Sequence, residues 1–266
     1  MNVIEAIKVR RSVRNFNGKP LPKDMRDKML KAVEAASSPF GGHVSIRLKE
    51  FDLKGDYKPS TDGMIKGAVD FFLVALKHDD ESALTAGYMF EQVVLRGTEL
   101  GLGFCWIAAT FKGTDFDAGQ VWPDGEQLTV ICPVGVPAKK SIMEKVTRFT
   151  LGSDKRNPFG SMFFEESFDK PASADGRFGE ALQMLRLAPS STNSQPWRAL
   201  VTGDSVHFYY KPKSAASVLD CGIGLCHFHE TELFYGRKGE FFKSGDAPAP
   251  PSDLRYLMSY RAYHAE

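Results

Sequence analysis

The chain has no surplus of charge: 34 Lys and Arg stand against 33 Asp and Glu, a formal net charge of +1. No global field therefore draws it to nucleic acid or to an anionic membrane surface. Cysteine is scarce, with 4 in 266 residues, so Cys105, Cys132, Cys221 and Cys226 read as buried thiols and not as a disulfide framework. Cys221, Cys226, His227 and His229 lie close together, yet their spacing matches neither a CxxC zinc pair nor a CxxCH haem attachment, and no metal is expected. Nor does any apolar run approach the length of a membrane span, and Met1 to Arg10 is too short and too charged for a secretory signal. These absences point to the cytoplasm. The chain is still long enough to bury a substantial core, as one large domain or two small ones.

What is present centres on residues 188–198, APSSTNSQPWR. An amphipathic helix is expected over 179–187, where Ala181, Leu182, Leu185 and Leu187 recur at helical spacing, and Ala199-Leu200-Val201 looks like a strand. The stretch is then a helix-to-strand loop in which Pro189 stops the helix and Pro196 forces Gln195 into an extended conformation. Two readings fit: a polar turn anchored by Trp197, or a rigid set of neutral donors and acceptors suited to the polar edge of a flat ring system. Trp106 and Trp197 themselves read as core.

The N-terminus offers a second candidate. Val3, Ile4 and Ile7 share one face of a short helix that leads into RRSVRNF at 10–16. If that segment is extended, Arg10, Ser12 and Arg14 point one way and Arg11 and Val13 the other. Two guanidiniums and a hydroxyl suit a terminal phosphate, while a solvated basic stretch is the alternative.

Further helices are expected over 23–36 and about 82–100, and strands over 44–53, 69–76, 104–111 and 128–136. Gly101-Leu102-Gly103 precedes a strand and does not follow one, so it is no dinucleotide fingerprint. The second half repeats the order: a helix at 179–187, strands at 199–202 and 206–210, a helix near 220–234, and strands near Phe241 and over 254–260. Two copies of one α+β unit are the expected organisation, with a first unit at 1–150, a wrapping linker arm at 151–175 and a shorter second unit at 176–266.

RRSVRNF and APSSTNSQPW, with LGLGFCWIA at 100–108 and PVGVPA at 133–138, resemble the FMN-dependent nitroreductase family. One departure is large. Ordinary members carry the APSxxNxQPW loop after their first long helix, whereas here Ser37-Ser38-Pro39-Phe40-Gly41-Gly42-His43 holds that place and the motif comes only in the second copy. This looks like the single-chain, internally duplicated branch, in which two half-similar units imitate a homodimer. The resemblance implies an α+β, nitroreductase-like fold in a monomer that acts as a pseudo-dimer. It further implies one FMN per chain, lodged between the RRSVR segment of the first unit and the loop of the second.

Carried over by position, Arg10, Ser12 and Arg14 match the family's phosphate and ribityl contacts, with Arg11 flanking them. Pro189, Ser190, Ser191, Asn193 and Gln195 match the loop that meets the flavin. Ala108 and Ala109 fall where family backbone meets the ring near N5, Gly135 in the GxP segment, and Lys155 and Arg156 at the basic pair near the phosphate. Lys66 is placed at the pyrimidine end of the ring. The Asp220, Gly222 and His227 pattern resembles the duplicated branch, although a helix N-cap explains Asp220 equally. The implied activity is hydride transfer from NAD(P)H through the flavin to a small planar acceptor such as a nitroaromatic or quinone, by ping-pong kinetics. A flavin-binding protein without turnover is the alternative.

Overall fold

A computed structural model describes residues 1–51, 59–123, 125–138 and 155–263. The chain divides into two compact units, Met1–Lys145 and Val146–Glu266.

The first unit opens with α1 (Val3–Val9), whose start is fixed by a capping box: Asn2 Oδ1 accepts the Glu5 amide and Glu5 accepts the Asn2 amide. After α2 (Lys23–Ala35) come β1 (Val44–Glu50), β2 (Asp70–Leu76), α3 (Asp80–Glu99), β3 (Gly103–Phe104), α4 (Gly113–Asp117) and β4 (Gln127–Gly135). The strands form one sheet in the order β1-β2-β4-β3, antiparallel throughout. Every residue of β2 is buried, as its continuous apolar run DFFLVAL demands. Its one charged member, Asp70, accepts the Leu21 amide at 2.7 Å and pairs with Arg26, which ties the lead-in of α2 to the sheet. Helix α3 begins on Asp79, whose carboxylate accepts the Ser82 amide at 2.7 Å, and stops at Gly101, where φ is +82°.

The second unit contains β5 (Phe163–Glu165), β6 (Ser167–Pro171), α5 (Gly179–Leu187), β7 (Trp197–Thr202), β8 (Ser205–Tyr210), α6 (Ser217–Phe234), β9 (Gly239–Phe242) and β10 (Arg255–Ala262). Its sheet runs β6-β5-β7-β8-β10-β9, with β5 parallel to β7 and the other neighbours antiparallel. The core is aromatic: Phe208, Phe228 and Tyr260 meet edge to face at 5.1 and 5.2 Å between centroids. Helix α6 lies close over α5 and β7, since a Cβ on Gly224 would come within 3.3 Å of the Trp197 ring, and His227 Nδ1 is 3.1 Å from Met184 O.

The two units share one topology. Each runs helix, antiparallel strand pair, helix, two strands, with the last strand placed between the second and third: α2-β1-β2-α3-β3-β4 in one and α5-β7-β8-α6-β9-β10 in the other. Strands β5 and β6, in the stretch read as an arm, extend the second sheet by two. The arm's residues 151–154, like 52–53 of the first expected strand, lie outside the described residues. Among the described residues no helix is long and apolar enough to cross a membrane.

One strand is shorter than its sequence implied. Of 104–111, Phe104 pairs with β4 and Ile107 bridges to Ile131, while residues 108–110 bend away. Between them the Trp106 indole bonds Glu91 on α3 at 2.8 Å.

Candidate flavin-binding half-sites

In the first unit, the backbone after α1 runs along the sheet edge. Ser12 pairs in parallel with Phe104, the Val13 amide donates to Phe104 O at 2.7 Å, and Asn15 pairs with Lys66. Alternation follows from this extended path. Val13 and Phe16 are buried, and two glycines leave room for them: a Cβ on Gly103 would lie 2.8 Å from Val13 Cβ, and one on Gly135 3.2 Å from Phe16 Cδ1. Gly135 thus serves the packing of this segment.

Arg10, Ser12 and Arg14 all act on the Cys105 thiol. Burial pushes that thiol up from its ordinary value, and the Arg14 charge, a hydrogen bond with Ser12 and the Arg10 charge act against the push. Arg11 is half-buried and does not act on the thiol. Arg10 Nε also lies 3.8 Å from Glu91 Oε1, with side chains 6 and 0 % exposed. Arg14 Nε is buried with no hydrogen-bond partner among the described residues. Such an orphaned donor, beside a second guanidinium and a hydroxyl, fits an oxyanion such as a phosphate. The remaining candidates lie nearby in the chain path. Lys66 is exposed, and its backbone bonds Arg14 O at 2.8 Å and the Phe16 amide at 2.9 Å. Ala108 and Ala109 sit exposed in the bend after Ile107, which leaves their backbone accessible.

In the second unit, α5 ends at Leu187 with Ala188 as its cap, and Pro189 begins the loop. The loop is held from three directions. Within it, Ser190 Oγ accepts the Gln195 amide at 2.9 Å and Ser190 O accepts the Asn193 amide at 3.0 Å. From the segment before β5, Lys155 O accepts Asn193 Nδ2 at 2.9 Å, Arg156 donates to Asn193 Oδ1 at 3.3 Å and to Leu187 O at 3.0 Å, and the Asn157 amide donates to Gln195 Oε1 at 2.9 Å. From α6, the Asp220 carboxylate accepts the Ser191 amide with both oxygens, each at 3.0 Å. The structure therefore gathers Lys155, Arg156, Ser190, Ser191, Asn193 and Gln195 into one bonded cluster.

Two expectations for this loop are corrected. Gln195 is not extended: its φ is +46°, and Thr192 and Asn193 are also left-handed at +50° and +55°. The bonds to Ser190, Asn157 and Asn193 outweigh the bias that Pro196 imposes. Asp220 is not a helix N-cap, because Ala216 occupies that position and Asp220 lies in the first turn facing the loop. Burial pushes its pKa to about 7, against the opposing bonds from Ser191 and Ser194.

Sequence reasoning passed over Glu91 altogether. Its signal was a single acid inside the apolar run Tyr88-Met89-Phe90-Glu91-Gln92-Val93-Val94 of α3, where it is fully buried and meets Arg10 and Trp106.

Comparisons with known proteins concern the chain as a whole. The chain resembles the crystal structure of a putative nitroreductase from Thermotoga maritima at 22% identity, over 98% of this chain and 93% of that one, with a TM-score of 0.62. A nitroreductase family protein from Clostridium difficile, 20% identical, aligns over 56% of this chain and 93% of its own with a TM-score of 0.42. A nitroreductase with bound FMN from Bacteroides fragilis, 22% identical, aligns over 53% and 91% with a TM-score of 0.42. Among curated proteins nothing matches. The sequence profile of the family described as "Putative TM nitroreductase" matches residues 2–231, which takes in both motif-bearing segments. By that match the chain belongs to this nitroreductase family.

Proposed function

We propose that the protein is an FMN-dependent NAD(P)H oxidoreductase of nitroreductase type that binds one flavin per chain, with the RRSVR segment and residues 190–195 as its flavin-binding segments. The observation that carries this reading is that Arg10, Ser12 and Arg14 all act on the buried Cys105 thiol, with Arg14 Nε buried and without a hydrogen-bond partner among the described residues. Family membership supports it, and the shared topology of the two units supports an internal duplication that lets one chain act as a pseudo-dimer.

Bound by these residues, FMN would supply the redox chemistry between NAD(P)H and a flat acceptor such as a nitroaromatic or quinone, by ping-pong kinetics. The protein binds and orients. Arg10 and Arg14 offer guanidinium donors, each such charged contact to phosphate being worth roughly 1.5–3 kcal/mol. Ser12 adds a hydroxyl, and the accessible backbone at Ala108 and Ala109 offers an amide donor to the ring. Arg14 or Lys66 supplies positive charge where reduction places negative charge. Ser190, Ser191 and Asn193 present the loop, and Gln195, buried and bonded to Asn157 and Asn193, keeps its shape.

Stopped-flow absorbance tests the reading. Rapid bleaching of the bound flavin by NADH or NADPH, and recolouring by a quinone, is the expected result. A flavin that stays yellow under both nicotinamides would leave a binder without turnover.

A further inference from the structure

Asp220 meets the loop through the Ser191 amide, at 3.0 Å from each carboxylate oxygen, and through Ser194 Oγ at 3.5 Å. Its side chain is buried in the first turn of α6, and residues 29 and 26 positions away in sequence are its partners. What it grips is a conformation that the loop does not favour. Thr192, Asn193 and Gln195 all sit at positive φ, which costs non-glycine residues free energy and persists only where surrounding bonds over-determine it. Lys155, Arg156 and Asn157 supply such bonds at one side of the loop, and Asp220 supplies them at the other.

We propose that Asp220 is the positioning residue of the flavin loop, an ionised carboxylate that holds residues 190–195 in their strained, cofactor-ready conformation. This rests on the function proposed above. A charged carboxylate that shares the Ser191 N–H between its two oxygens binds it more strongly than a neutral acceptor would, so removing the charge loosens the loop without removing a side chain from it. The fold places that change near neutrality, because burial raises the Asp220 pKa to about 7. Around it stand Ser191 and Ser194 of the loop and the neighbouring Cys221, whose thiol burial and the Asp220 charge push up while Arg198 on β7 holds it down. Lys213 grips the same loop through Ser194 O at 2.7 Å.

The test uses the full chain. The Ser191 amide shift is followed by NMR against pH in flavin-free protein, and FMN affinity is measured by quenching of flavin fluorescence at pH 6 and pH 8, in the wild type and in Asp220→Asn and Asp220→Glu. The proposal expects the wild-type Ser191 amide to titrate with a midpoint near 7 and that titration to vanish in Asp220→Asn. It expects FMN affinity in Asp220→Asn at pH 8 to fall roughly tenfold, the difference between a charge-assisted and a neutral hydrogen bond, with partial rescue in Asp220→Glu. A Ser191 amide indifferent to pH overturns it, and this arm needs no folded variant. So does wild-type FMN affinity in Asp220→Asn when the wild type binds FMN. A wild type that holds no FMN at either pH, with Ser191 still titrating, overturns the cofactor role through the failure of the functional reading itself.

Discussion

The Arg10 guanidinium and the Glu91 carboxylate form a buried pair, Nε to Oε1 3.8 Å, with Glu91 also accepting the Trp106 indole at 2.8 Å. The pair sets where the first arginine of the RRSVR segment goes, because a buried charge is held by the partner that compensates it. Glu91→Gln leaves Arg10 without that compensation. The expected result is a loss of about 3 kcal/mol in urea unfolding, together with weaker flavin retention. Unchanged stability would show that the pair contributes nothing net.

Arg14 carries a different burden. Its Nε lacks a hydrogen-bond partner among the described residues, so the effect of truncating it is expected to fall mainly on the ligand. Arg14→Ala is expected to cost about 2 kcal/mol of FMN binding, roughly a thirtyfold rise in the dissociation constant, with the melting temperature nearly unchanged. Arg47→Ala serves as the control: Arg47 bonds Gln120 at 3.0 Å and Val121 O at 2.7 Å and belongs to neither motif. Equal losses of flavin in both variants would remove Arg14 from the site.

Gly103→Ala tests how the segment is seated. A Cβ there would stand 2.8 Å from Val13 Cβ and 2.8 and 2.9 Å from its two Cγ atoms, a clash with the branched side chain laid over the strand, of which Val13→Ala removes the two Cγ contacts. Overpacking of this kind costs typically about 1–3 kcal/mol. Denaturant unfolding should show that loss, and Val13→Ala in the same chain should recover part of it. A stable single variant would mean that Val13 moves aside freely.

Acid sensitivity has two opposed sources in the second unit. Burial lowers the His229 pKa to about 4, so between its ordinary value near 6.5 and 4 the unfolded chain binds the extra proton and stability falls as pH falls. Burial raises Asp220 to about 7, so between 3.8 and 7 the folded chain binds the extra proton and stability rises as pH falls. His229→Phe, at a side chain that meets Phe241 and Tyr260 edge to face at 5.2 and 5.8 Å, removes the first. It should stabilise the protein at pH 4.5 relative to pH 7 by up to roughly 2 kcal/mol. A pH profile parallel to the wild type would contradict the assignment.

The elements with strong periodicity were legible in the sequence. Helix α5 spans Gly179–Leu187, the range its apolar spacing marks, and β2 sits where the continuous apolar run requires a fully buried strand. Strands β5 and β6 were not legible. They are three and five residues long, too short for alternation to register, and β5 is defined by its parallel pairing with β7, which begins more than thirty positions later. Arg10, Ser12 and Arg14 could be grouped on one side from alternation because Arg10 to Arg14 is locally extended. Their neighbours Glu91 and Cys105 could not, since the sheet and α3 bring them there from distant positions. The loop shows the same limit in reverse. Pro196 correctly marked its end, but the left-handed turn at Gln195 comes from bonds to Asn157 and Ser190 that no local rule contains.

The central proposal is that each chain binds one FMN. Its most direct measurement is the FMN released by heating freshly purified protein, counted per chain and paired with the mass of the holoprotein in solution. The account predicts one FMN per chain, carried by a monomer. A colourless protein that takes up no added FMN, two FMN per chain, or flavin held only by a dimer would contradict it.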